Sequence, residues 1–121
     1  MKIYIAHSRE FDFKKELYEP IKKSPLYKKY EIILPHEKSD KSFSTKELFR
    51  EKGNILIADI SKPSTGLGIE LGWVNAFENR IICVYKKGSI FSDSIRTVTT
   101  EFIEYETPAD LILKIQTLLG N

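Results

Sequence analysis

Asn54-Ile55-Leu56-Ile57-Ala58-Asp59-Ile60 is followed by Ser61-Lys62-Pro63-Ser64-Thr65 and then by Gly66-Leu67-Gly68-Ile69-Glu70-Leu71-Gly72. The first segment is nearly all apolar, which is the pattern of a strand covered on both faces. The second is a polar loop. The third opens a helix from about Leu67 to Phe77, with one carboxylate, Glu70, in an otherwise apolar stretch. A buried strand, a loop and a helix in this order make half of a βαβ unit.

The same alternation continues in both directions. Upstream, Ile3-Tyr4-Ile5-Ala6 is a short strand, and Phe13, Leu17 and Ile21 recur at helical spacing. Ser8 is a candidate N-cap for that helix, and Pro20 predicts a kink or an end. Tyr30 to Leu34 reads as a second strand stopped by Pro35, residues 36–44 as a polar loop, and Thr45 to Lys52 as a short helix closed by Gly53. Downstream, Arg80 to Tyr85 is a strand, residues 86–100 hold a loop with a short helix, and Glu101-Phe102-Ile103-Glu104-Tyr105 alternates like an edge strand. Thr107, Pro108 and Asp110 mark the start of a last helix, which Gly120 ends. Residues 1–121 therefore read as one α/β domain: a three-layer, flavodoxin-like, five-stranded parallel sheet with helices on both faces. Ligands of such sheets bind at the C-terminal ends of the strands, here after Ala6, Ile60 and Tyr85.

Composition narrows the function classes. The net charge of +2, with both signs interspersed, argues against a nucleic-acid polymer as partner. No apolar run approaches the roughly 20 residues needed to span a bilayer, and no apolar leader follows Lys2, so a cytoplasmic location is expected. The single Cys83, in an apolar strand, reads as a buried thiol. His7 and His36 show no metal-ligand spacing with it, so no metal is expected.

Chemistry concentrates on residues 63–72. Gly66 and Gly68 suit a sharp turn and close approach to a ligand, and Gly72 suits close helix packing. Ser64 and Thr65 place hydroxyls before a helix N-terminus, which favours an anion. The stretch is neither a Walker A loop nor a GxGxxG fingerprint of a first βα unit. Glu70, expected in the first helical turn, is favoured in its ionised form by the helix dipole and can attack an anomeric carbon.

Asp59 to Gly72 resembles the nucleoside 2-deoxyribosyltransferase superfamily, and most of all its 2′-deoxynucleoside 5′-phosphate N-hydrolase branch. The Gly66-x-Gly68-x-Glu70-Leu71-Gly72 core carries the resemblance; Ile3 to Ser8 and Phe91 to Arg96 match the branch's opening strand and late loop more weakly. The resemblance implies an N-glycosidase with Glu70 as nucleophile at C1′, a covalent deoxyribosyl-enzyme, and Tyr4 orienting the carboxylate. It implies that Ser64 binds the 5′-phosphate and that Ser92 reaches the phosphate of a neighbouring subunit, hence a homodimer or larger oligomer. The chemistry that the resemblance implies needs no metal or organic cofactor. Transferases acting on free nucleosides carry Asp where this chain has Ser64. A hydroxyl donates to phosphate oxygens, whereas a carboxylate repels them. His7, Ser8 and Arg9 lie on the phosphate-side loop, where His7 and Arg9 either add positive charge or are solvated.

One departure from the family pattern stands out. Its Asp on the helix before the third strand falls on Lys46. Glu47 is the adjacent carboxylate, about 100° further round the helix, and becomes catalytic if the helix is shifted; His36 and Glu37 are the other candidates for protonating the leaving base. Two alternatives remain: base exchange between free deoxynucleosides, and a nucleotide-binding module without turnover. The opening segment from Tyr4 to Asp12 also faintly resembles a TIR domain, which uses a glutamate against NAD, although the glycine-rich Glu70 motif fits that poorly.

Overall fold

The computed structural model describes residues 1–37 and 45–120. Five parallel strands form one sheet: β1 (Lys2–His7), β2 (Glu31–Ile33), β3 (Ile55–Asp59), β4 (Arg80–Lys86) and β5 (Phe102–Tyr105). Their order is β2-β1-β3-β4-β5, the flavodoxin-like arrangement expected from the alternation. The order reverses between β1 and β3, so the crevice opens where His7 lies beside Asp59.

Strand periodicity divides the core in two. Ile3 and Ile5 of β1, Ile55 and Ile57 of β3, and Ile82 and Val84 of β4 point to one face. There they meet Leu17 and Ile21 around α1 (Glu19–Lys22), Leu26 of α2 (Pro25–Lys29), and Leu111, Ile112 and Ile115 of α5 (Pro108–Leu118). Tyr4, Ala6, Leu56, Ala58, Ile81 and Cys83 alternate to the other face, against Phe49 of α3 (Lys46–Arg50) and Leu67, Leu71 and Val74 of α4 (Thr65–Ala76). Burial pushes the Cys83 thiol up to about 12, so it packs as a small apolar group.

Local signals held where they were strongest. Oγ1 of Thr107 accepts from the Asp110 N–H at 3.1 Å, and Oδ2 of Asp110 accepts from the Glu106 N–H at 3.0 Å, one residue before the cap. The first helix differs from its sequence pattern. Ser8 does not cap it; its Oγ accepts from the Glu10 N–H at 3.1 Å in a local turn. A π-helical turn over Lys14–Tyr18 precedes α1, with the Glu19 N–H bonded to the Lys14 carbonyl. Pro20 then falls in the first turn of α1, where a missing N–H is tolerated, and the helix runs on only to Lys22. The short helix α2 follows at once from Pro25. The loop expected over residues 36–44 lies mostly outside the described residues.

A polar latch closes the C-terminal edge of the sheet. The Tyr105 hydroxyl donates to Oδ2 of Asp59 at 2.6 Å, the Ser61 N–H donates to Oδ1 at 2.9 Å, and Oγ of Ser61 accepts from the Lys86 N–H at 2.9 Å. This ties the ends of β3, β4 and β5 together and sets where the loop toward α4 begins. Among the described residues no helix is long and apolar enough to cross a membrane.

Candidate active site

α4 starts two residues earlier than its apolar pattern suggests, because Ser64 caps it. Ser64 is extended, and its Oγ accepts from the Leu67 N–H at 3.3 Å. Gly66 and Gly68 are therefore helical residues rather than a sharp turn; the glycines with positive φ are Gly53, Gly88 and Gly120. Nothing lies within 4 Å of a Cβ placed on Gly72, so its role is not close packing. The earlier start also moves Glu70 out of the first helical turn, which contains no acidic residue. Dipole stabilisation falls off within that turn, so it does not hold Glu70 ionised.

Burial dominates instead. Desolvation raises the Glu70 carboxyl to about 7, while the Tyr4 hydroxyl and then the Thr45 hydroxyl beside it pull the other way. Tyr4 is pushed far above the usual phenol range, first by burial and then by the Glu70 charge, so it stays a proton donor. Its ring is held edge-on to Phe49, with centroids 6.2 Å apart. Glu70 and Tyr4 open onto a cavity of about 250 Å³ whose wall includes Arg9, His36, Gly66 and Trp73. The expected pairing of Glu70 with Tyr4 is thus present in space, with Arg9 nearby.

His7 and Ser8 play a different part from the one expected. Both are buried, at 6% and 2% exposure. His7 Nδ1 donates to the Ser8 carbonyl at 2.8 Å, which leaves Nε2 to accept from the Tyr18 hydroxyl at 2.6 Å. The same hydroxyl accepts from the His36 N–H at 3.0 Å. Burial is the main reason the His7 imidazole is lowered to about 4, so it is neutral at pH 7 and adds no positive charge to the site. Its ring stacks on Phe13 at 4.3 Å between centroids. These residues form a wall that carries His36 to the Glu70 cavity.

Ser64, Gly68 and Ser92 line a second, largely apolar cavity of about 280 Å³ with Lys62 and Phe91. Leu67 lines both cavities, so the two flank the start of α4. Ser92 and Ser64 share this cavity within one chain. Ser92 Oγ also accepts from the Ser94 N–H at 3.2 Å. Thr65 is exposed at the first position of α4.

Glu47 is not brought to Glu70. It is exposed on α3 and accepts from Arg50 Nε at 3.0 Å. Lys46 is also exposed, and Glu37 is ion-paired with Lys22. The residue of this region that does reach Glu70 is Thr45, fully buried, which the sequence reading passed over. Trp73 was missed as well, although its position three residues after Glu70 puts it on the same helical face.

No family model matches the chain. It is 35% identical over 48 residues to the human 5-hydroxymethyl-dUMP N-hydrolase, covering 38% of this chain and 28% of that protein. It is 36% identical over 36 residues to the enzyme of the same name from Branchiostoma floridae, covering 30% of this chain and 34% of that one. The match therefore spans about a third of the length of these curated relatives. The fold as a whole is shared with a CMP N-glycosidase from Clostridium botulinum, at a TM-score of 0.69 and 20% identity, covering 98% of this chain and 99% of that one. TIR domains of the activated Roq1 resistosome share it more distantly, at a TM-score of 0.55 and 15% identity over 97% of this chain and 70% of theirs. In part of its sequence and in nearly the whole of its fold, the chain resembles the nucleotide N-hydrolases and N-glycosidases of the nucleoside 2-deoxyribosyltransferase-like superfamily.

Proposed function

We propose that this chain is an N-glycosidase that cleaves the base–sugar bond of nucleoside or deoxynucleoside 5′-monophosphates through a covalent glycosyl-Glu70 intermediate. The observation that carries this reading is the state of Glu70. It is a carboxyl on a cavity wall at the switch point of the sheet, beside the hydroxyl of Tyr4, and burial pushes it up to about 7. A desolvated carboxylate is a better nucleophile than a hydrated one, and near neutral pH about half of it is ionised.

In this mechanism a Glu70 oxygen attacks C1′ as the C1′–N bond breaks, and the bonding pair leaves with the base. His36, on the same cavity wall, supplies the proton the base takes up, since Glu47 and Glu37 are engaged with Arg50 and Lys22. Water then adds at C1′ as the bond from C1′ to the Glu70 oxygen breaks, and its proton passes to the now neutral His36, which returns the carboxylate and the acid and releases the sugar phosphate. The phosphate sits at the start of α4, with the Ser64 hydroxyl, the Thr65 and Gly66 N–H groups and the Arg9 charge around it. Interception of the same intermediate by a second base gives exchange in place of hydrolysis. The working unit in this reading is a cytoplasmic homodimer, with Ser92 contributing to the phosphate side.

The test is release of free base from a panel of nucleosides and 5′-monophosphates, with Glu70→Ala as control. At least one monophosphate is expected to be cleaved, and the variant to be inactive. No release from any monophosphate overturns the proposal. Exchange of bases on unphosphorylated nucleosides, with no hydrolysis, assigns the chain to transfer. Light scattering at assay concentration checks the dimer separately.

A further inference from the structure

Among the described residues, two buried side-chain atoms have no hydrogen-bond partner: Oγ1 of Thr45 and Oε2 of Glu70. Thr45 is 0% exposed and stands at the N-cap of α3, where a threonine ordinarily accepts from a backbone N–H, yet it makes no such bond. Its hydroxyl is thus committed neither to the helix nor to water. Oε2 of Glu70 is equally sealed, although the rest of the carboxyl lines the cavity. α3 and α4 pack side by side on the same face of the sheet, and the Thr45 hydroxyl lies against the Glu70 carboxyl. Buried polar groups are almost always paired, so each of these atoms calls for a partner, and one is a donor and the other an acceptor on neighbouring helices.

We infer that Thr45 is the positioning residue for Glu70: its hydroxyl donates to Oε2 and so holds the carboxyl with Oε1 turned to the cavity. The inference rests on the reading of Glu70 as nucleophile. Oε2 is closed off from any ligand, so attack on C1′ comes from Oε1. A carboxyl free to rotate about its last bond would present that oxygen only part of the time. A donor fixed behind Oε2 removes that freedom. It also favours the ionised form, because a hydrogen bond to a carboxylate is stronger than one to the neutral acid.

The test compares Thr45→Val, which keeps the side-chain shape without the hydroxyl, with Thr45→Ser, which keeps the hydroxyl. Two quantities are read on the full chain: the titration midpoint of the Glu70 carboxyl by carbon-detected NMR, and kcat and KM for the best monophosphate across pH. In Thr45→Val the midpoint is expected to move upward from its wild-type position near 7. At pH 7 kcat should fall by about tenfold or more with KM little changed. Thr45→Ser should return both. An unchanged midpoint in Thr45→Val overturns the inference, as does a Thr45→Ser variant that behaves like Thr45→Val. If the wild-type protein cleaves no nucleotide, the proposed function fails, while the midpoint still decides the role of Thr45. Should Thr45→Val not fold, Thr45→Ala makes the same comparison.

Discussion

The Tyr18 hydroxyl lies 2.6 Å from Nε2 of His7 and donates to it, while accepting from the His36 N–H at 3.0 Å. One phenol thus joins the end of β1 to the segment that carries His36 into the Glu70 cavity. It is delivered by the π-helical turn before Pro20, and such turns are frequent at functional sites.

Replacing Tyr18 by Phe removes both bonds and leaves a buried imidazole nitrogen without a donor. We expect a loss of about 1–3 kcal/mol in stability, read as a lower midpoint in urea. We also expect a raised KM for nucleotide, since the His36 backbone loses that bond. A variant as stable as wild type with unchanged KM would show that the phenol carries neither function.

Stability against pH follows from two opposed shifts. His7 drops from 6.5 to about 4 on folding, so the unfolded state binds more protons between those values. Its contribution is complete above about 6.5 and is lost as pH falls through 4. Glu70 rises from 4.5 to about 7, so the folded state binds more protons there, and stability falls as pH climbs through that window. The two slopes oppose each other, and the wild-type protein should be nearly flat between pH 4.5 and 6.5. Glu70→Gln should unmask a rise with pH of up to about 3 kcal/mol. His7→Gln should unmask a fall of similar size. Urea titrations at half-unit pH steps test both, and parallel curves for all three proteins would refute the assignment.

Ser64 has two separable tasks. As N-cap it accepts from Leu67; as a proposed phosphate ligand it donates. Glycine is a tolerated N-cap, so Ser64→Gly should cost only a few tenths of a kcal/mol in stability. The same change should raise KM for 5′-monophosphates while leaving weak nucleoside turnover unaltered. Equal losses on both substrates would assign Ser64 to the helix alone.

Trp73 is the one tryptophan of the chain and lies on the Glu70 cavity wall. Its fluorescence should change saturably when a 5′-monophosphate binds, with no turnover required. Glu70→Gln should retain that change while losing base release, which separates binding from chemistry. A flat titration at substrate concentrations that support turnover would place the base elsewhere.

Legibility differed by element. The alternation of Ile55, Leu56, Ile57 and Ala58 between two apolar faces was enough for the sheet, because side-chain period and strand geometry are both local. The caps at Ser64 and Thr107 depend on contacts three residues apart, and the one at Thr107 was read correctly. The start of α4 was misplaced because Thr65 and Gly66 lack apolar periodicity, although Ser64 caps it as a local rule allows. Glu47 was named because it is the carboxylate next to Lys46, whereas Thr45 read only as the start of the helix; which face of α3 meets α4 is a packing outcome.

The sequence by itself determined the βα alternation and the strand order class, and singled out Glu70 as the candidate carboxylate in an apolar helix. These follow from periodicities and short spacings along the chain. Only the tertiary structure decided that His7 is neutral, that Glu70 titrates near 7, and that Thr45 rather than Glu47 stands behind it. Those properties depend on how much water and which neighbours surround a group, and residues far apart in the chain must first be packed together to set either.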